Sequence, residues 1–214
     1  MTAPSLPSGY DVSKHVSAGR HDCHITVGFD QQGTRIPRFL VQLHYHTTTG
    51  ADHWAEIARM DHNETAPTGH EIYSEGLHVD IARRSGATVH LQIRHNPLPS
   101  NRGKVIRGCV TYLHSNADYF IDVYKGRKSP GGGPPRWSPD GGEPTPTLIC
   151  ENPVDMDMSQ ESPVEDALSP DELSAILAEA TGTTAEEIEQ GAEELNLSPP
   201  DEATVVSDES STHD

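Results

Sequence analysis

Four short stretches of the chain alternate strictly between apolar and polar positions. The apolar set is Cys23, Ile25, Val27 and Phe29 in the first, and Phe39, Val41, Leu43 and Tyr45 in the second. It is Leu77, Val79 and Ile81 in the third, and Val89, Leu91 and Ile93 in the fourth. Strand side chains point alternately to opposite faces, so a period of two describes a strand with one buried face. Trp54–Asp61 reads as a further strand with poorer alternation, and Asn96-Pro-Leu-Pro-Ser100 breaks the pattern. From Arg102 the period lengthens. Val105, Ile106, Cys109, Val110, Leu113, Ala117, Phe120, Ile121 and Tyr124 recur at three and four residues, with Gly126 as a stop. A helix of about 22 residues spans roughly 33 Å, enough to cross four or five strands. The expected fold is α+β: a single antiparallel sheet of 4–5 strands with one long helix on its apolar face.

The opposite face of those strands carries unusual chemistry. The first stretch presents Asp22, His24 and Thr26, and the second Gln42, His44 and His46. The later two present His78 with Asp80, and His90 with Gln92 and Arg94. His70 sits in a loop before the third stretch. An antiparallel sheet with one wet face is polar there whatever its function, and His is one polar choice. Two chemical readings stand beside that one. Imidazoles titrate near neutrality, so His44, His46, His78, Asp80 and His90 form a catalytic proton-transfer set, with Arg94 as an anion-binding group. Alternatively, His44, His46, His78 and Asp80 form a metal site, since imidazole and carboxylate suit zinc, iron or manganese. No HExxH motif is present, a bare HxH is a loose signal, and no cofactor is expected.

Charge divides the 214 residues. Residues 1–128 hold 14 Lys and Arg against 12 Asp and Glu, whereas residues 129–214 hold Arg136 against 21 acids. Twelve of the 13 histidines lie in the first part. Prolines and glycines crowd the junction, where neither helix nor sheet propagates. The expected organisation is a disordered N-terminus (1–20), a His-rich α+β domain (21–128), a disordered linker (129–168), an acidic helical hairpin (169–197) and a disordered tail (198–214). No apolar run approaches the ~20 residues needed to span a membrane, and the first residues carry no secretory signal. Three cysteines without a CxxC pair suggest no disulfide framework, and a cytoplasmic setting follows.

The hairpin is marked by two capping boxes, Ser169-Pro-Asp-Glu172 and Thr184-Ala-Glu-Glu187, with Gly182 closing the first helix. Its apolar stripe is Leu173, Ile176, Leu177, Ile188 and Leu195. Ala178, Gly182 and Ile188 fall where a helix-turn-helix places its small residue, turn glycine and core aliphatic. However, Glu186, Glu187, Glu189, Glu193 and Glu194 oppose phosphate, so direct DNA binding by the hairpin is disfavoured. Two short helices are marginal until their stripe is covered, which points to a protein partner.

Several segments together resemble a known pattern: Phe39-Leu-Val-Gln-Leu-His-Tyr-His46, Ile57-Ala-Arg-Met-Asp-His62, Gly69-His70, Glu75-Gly-Leu-His-Val-Asp80 and Asn116-Ala-Asp-Tyr119. They resemble a family of small, uncharacterised prokaryotic α+β domains, itself distantly similar to the TumE-type toxins of toxin–antitoxin pairs. The resemblance covers residues 20–126. It implies a compact sheet closed by a C-terminal helix and places no catalytic residue.

Three functions follow as expectations. The first is an interaction or regulatory protein whose acidic extension binds a partner. The second is a toxin-like enzyme directed at RNA or a nucleotide through its histidine face and restrained by the acidic arm. The third is a His/Asp metal-binding domain.

Overall fold

The computed structural model describes residues 3–47, 53–66, 69–93, 95–130, 167–197 and 205–206. Six strands run in chain order through a single antiparallel sheet: β1 (Val12–Ser17), β2 (Cys23–Gln32), β3 (Arg35–Thr47), β4 (His53–Asn63), β5 (His78–Ala82) and β6 (Thr88–Gln92). A two-residue strand, β7 (Val205–Val206), pairs with the outer edge of β6. The helices are α1 (Ile72–Glu75), α2 (Arg102–Ser115), α3 (Ala117–Tyr124), α4 (Pro170–Thr181) and α5 (Ala185–Glu194).

The expected strands form with their expected faces. Cys23, Ile25, Val27, Phe29, Phe39, Val41, Leu43, Val79, Ile81 and Leu91 are all buried in one core. The sheet has more than the expected strands, however, because β1 lies within a terminus read as disordered. Its two core-forming residues, Val12 and Val16, are separated by polar ones, which hid it. Pairing with the long β2 supplies the register, from Val12 opposite Phe29 to Ser17 opposite His24.

The poor alternation of Trp54–Asp61 also has a cause. A bulge shifts the β3–β4 register between Leu43 and His44, so that Tyr45 faces Ala55 and His44 faces Glu56, but Leu43 faces Ala58. Ile57 is the extra residue, and the buried parity switches from odd to even across it. Trp54 and Glu56 before the bulge therefore share a face with Arg59 and Asp61 after it.

The single long helix is instead two. Asn116 leaves helical geometry (φ −107°, ψ 15°), and its Nδ2 donates to the Tyr112 carbonyl at 2.9 Å. An Asn side chain that competes for backbone partners in this way is a helix interrupter. The helix layer, α2 lying on β3 and α3 reaching β4 and β5, still covers the apolar side.

The hairpin has both capping boxes and a left-handed Gly182 (φ 69°). Its stripe does not await a partner. Leu173, Leu177 and Ile188 are fully buried, Leu195 is 1% exposed, and Ile176 packs at the margin of the same core. The hairpin docks on α2, where Gly103 and Gly108 leave room for Ile188 and Leu195. A Cβ on Gly108 would lie 2.4 Å from a Leu195 methyl. Leu168 bridges the outer edge of β1, with Ser17 N–H donating to Leu168 O at 2.8 Å and Leu168 N–H to His15 O at 2.9 Å. A tethered stripe meets its own domain at high effective concentration. The five residues read as a partner surface pack against the core of this same chain. The linker and tail, apart from residues 129–130, 167–168 and 205–206, lie outside the described residues.

Candidate functional site

The sheet face away from the helices carries the histidines, as register dictates. One row runs straight across it: His15 opposite Thr26, Thr26 opposite Gln42, Gln42 opposite Arg59, Arg59 opposite Asp80, and Asp80 opposite His90. A second row sets His24 opposite His44 and His44 opposite Glu56. The face is not a flat wet surface, however. His24 is 2% exposed, His44 7% and Thr26 0%.

Two clusters divide this face. The first centres on Asp80, a buried carboxylate on β5. Its Oδ1 meets His90 Nδ1 in a short contact and lies 3.4 Å from His78 Nε2, while Oδ2 accepts from Arg59 Nε at 3.1 Å. Burial alone pushes the carboxyl upward. The hydrogen bond and charge of His78, with the charges of His90 and Arg59, overcome it and hold the Asp80 pKa down at about 2. His78 moves the other way: burial lowers it, and Asp80 more than compensates, so its pKa is raised. One donor atom each from His78, Asp80 and His90 lie within 4.8 Å of one another. His70 adjoins this group, its ring centroid 4.1 Å from that of His78, and its Nδ1 is 2.6 Å from Glu75 Oε2.

The second cluster is a directed hydrogen-bond chain on β2, β3 and β4. Gln42 Nε2 donates to Glu56, so Gln42 Oε1 accepts from Thr26 Oγ1 at 3.1 Å. The Thr26 proton being spent, Thr26 Oγ1 accepts from His44 Nε2 at 2.9 Å, which fixes the His44 tautomer. Beside it His24 Nε2 and His15 Nδ1 share a hydrogen bond of 2.8 Å. Burial, with His15 adding to it, lowers the His44 pKa to about 4; burial and both neighbouring imidazoles do the same to His24. Burial raises Glu56.

Of the residues expected to act together, His78, Asp80 and His90 are assembled. His44 is held by Thr26 in the other cluster, and His46 stacks edge-on against Trp54, centroids 5.1 Å apart. The four-residue metal set His44, His46, His78 and Asp80 is therefore not formed, because β4 lies between its halves. Arg94 lies outside the described residues. Asp22, expected on this face, is instead tied to Arg20 at 2.9 Å, which reaches Asp118 of α3 at 2.6 Å. Arg59, Glu56 and Trp54 escaped the sequence reading because the bulge at Ile57 scrambles the parity that would have exposed them. The buried thiols Cys23 and Cys109 are pushed upward by burial and are poor nucleophiles.

Comparison with known proteins adds one finding. The model of a family described as a domain of unknown function (DUF7718) matches residues 13–130, which span the six strands with α1, α2 and α3 and stop before the hairpin. No curated protein and no solved structure matches. The family description names no activity, and the toxin resemblance gains no support from it. No helix among the described residues is long and apolar enough to cross a membrane.

Proposed function

The chain belongs to the DUF7718 family, and from that premise we propose that it binds a divalent transition-metal ion through His78, Asp80 and His90. The observation that carries the reading is the convergence of these three donors, from adjacent strands, within 4.8 Å of one another. Two imidazoles and a carboxylate suit zinc, manganese or iron, and three protein ligands leave positions for water. Such an open centre lowers the pKa of bound water and so can activate it. The pairing with Arg59 orients the carboxylate from its far oxygen.

Electrostatics favours a cation over the phosphate of an RNA or nucleotide. Arg59 feels Asp80, Asp61 and Glu56, and His78 feels Asp80, Asp61 and Glu75. Three carboxylates, Asp80, Asp61 and Glu56, therefore act on one guanidinium, and that excess attracts a positive ligand. A second reading rests on the direct His90 Nδ1–Asp80 contact, which orients Nε2 outward as a metal-free general base.

Calorimetric titration of the EDTA-stripped full chain with zinc and with manganese separates the two. The metal reading expects one ion per chain, lost in His90→Ala and retained in His44→Ala and His46→Ala. Absence of binding, or equal binding by His90→Ala, overturns it.

A further inference from the structure

A strap formed by Ala3–Tyr10 crosses the helix-free face ahead of β1. Pro4 is buried, Ser13 Oγ donates to Pro7 O at 2.7 Å, and Arg38 donates to Gly9 O. Tyr10 lies over Gly28, where a Cβ would come within 2.8 Å of its ring, so glycine at this position lets the strap seat. Between the strap and β3–β4 lies a cleft of about 730 Å3. That volume is in the range of small-molecule sites.

The chemistry of its lining is one-sided. Leu6, Tyr10, Leu40 and Trp54 supply apolar and aromatic wall, and Gln42, His44 and Glu56 supply the polar groups. Arg38, also on the wall, is spent: it pairs with Asp30 at 2.7 Å and lies over the Tyr10 ring at 4.3 Å. His44 is neutral near pH 7. Arg59, the other cation that acts on Glu56, is shared among Glu56, Asp61 and Asp80 and, among the described residues, donates to the last. Glu56 therefore enters the cleft with an amide donor from Gln42 and no ion-pair partner among the described residues, and a bound cation would offset the burial that raises its pKa.

A mixed cleft with an aromatic wall beside one carboxylate that has no ion-pair partner among the described residues is a complement for an alkylammonium group. We infer that the cleft binds a small organic amine in its protonated form, the ammonium on Glu56 and the carbon skeleton against Trp54. A metal ion does not fit there, because among the described residues only His78, Asp80 and His90 bring three ligands together. The ammonium site and the metal centre use different ligands: Asp80 faces Arg59 on β4, and Glu56 lies on the other side of the Ile57 bulge, opposite His44.

The chain has two tryptophans, so Trp137→Phe leaves Trp54 as a single fluorescent reporter in the cleft. In that background the full chain is titrated with n-butylammonium and, as a control of equal length and opposite charge, with butyrate. The inference expects a saturable change with butylammonium alone, weakened about tenfold or more by Glu56→Gln, and unaltered by EDTA or by His90→Ala. An equal response to both ions, or unchanged butylammonium binding in a folded Glu56→Gln chain, overturns it. Should Glu56→Gln fail to fold, the contrast between butylammonium and butyrate decides the matter. Loss of the response in His90→Ala would instead make the cleft part of the metal site.

Discussion

Lowering the pH from 7.5 to 4 should strip stability from this domain through His24 and His44. Both imidazoles are almost fully buried, and burial with neighbouring imidazoles brings each from 6.5 to about 4. A group with a depressed native pKa takes up its proton earlier in the unfolded chain. The stability it contributes is therefore complete above about pH 6.5 and drains as the pH falls toward 4. A fall from 6.5 to about 4 corresponds to about 3 kcal/mol for each imidazole. That is a large share of the ~5–15 kcal/mol that holds a typical domain together. Asp80 titrates lower, between its ordinary value of 3.8 and about 2, so it contributes little in this window. The assay is urea unfolding followed by far-ultraviolet circular dichroism at pH 7.5, 6, 5 and 4, on the native chain and on His44→Gln. A glutamine amide can still donate to Thr26 but takes up no proton. The drop in unfolding free energy between pH 7.5 and 4 should be smaller by about 3 kcal/mol in the variant. Equal drops in the two proteins would refute the assignment of His44 as a buried, neutral imidazole.

Two further outcomes follow from the packing. Leu177→Ala removes a fully buried side chain of α4 and should cost about 2–5 kcal/mol in urea unfolding; a change below half a kcal/mol would mean that the hairpin is not part of the core. Asp80→Asn leaves His78 and the half-exposed Arg59 without their shared carboxylate, and the loss of its charged hydrogen bonds should cost about 1–3 kcal/mol at pH 7. An unchanged midpoint in Asp80→Asn would show that the carboxylate is not ionised in the folded state.

Much of this architecture was legible in the residues themselves. Strict alternation in β2, β3, β5 and β6 marked both the core face and the histidine face, since a side-chain period of two leaves no other arrangement. Both capping boxes were equally readable, because Ser169 with Glu172 and Thr184 with Glu187 bond locally. What stayed hidden depends on contacts distant in sequence. β1 draws its register from β2, and the stripe through Leu173, Leu177 and Ile188 says that something covers it without saying what. The site was half visible for the same reason. His78, Asp80 and His90 sit on adjacent strands of simple register, whereas the bulge at Ile57 moves Arg59 and Glu56 out of step with the sequence pattern. That β4 would separate His44 and His46 from the acidic cluster depends on strand order, which alternation does not encode.

The metal centre is tested most directly by zinc K-edge X-ray absorption on the stripped full chain loaded with one equivalent of zinc. Two imidazole rings and oxygen ligands at about 2.0–2.2 Å are expected, without sulfur, and the spectrum should lose imidazole scattering in His78→Ala and in His90→Ala. A sulfur shell, or a native spectrum in either variant, would contradict the assignment of His78, Asp80 and His90 as the ion's ligands.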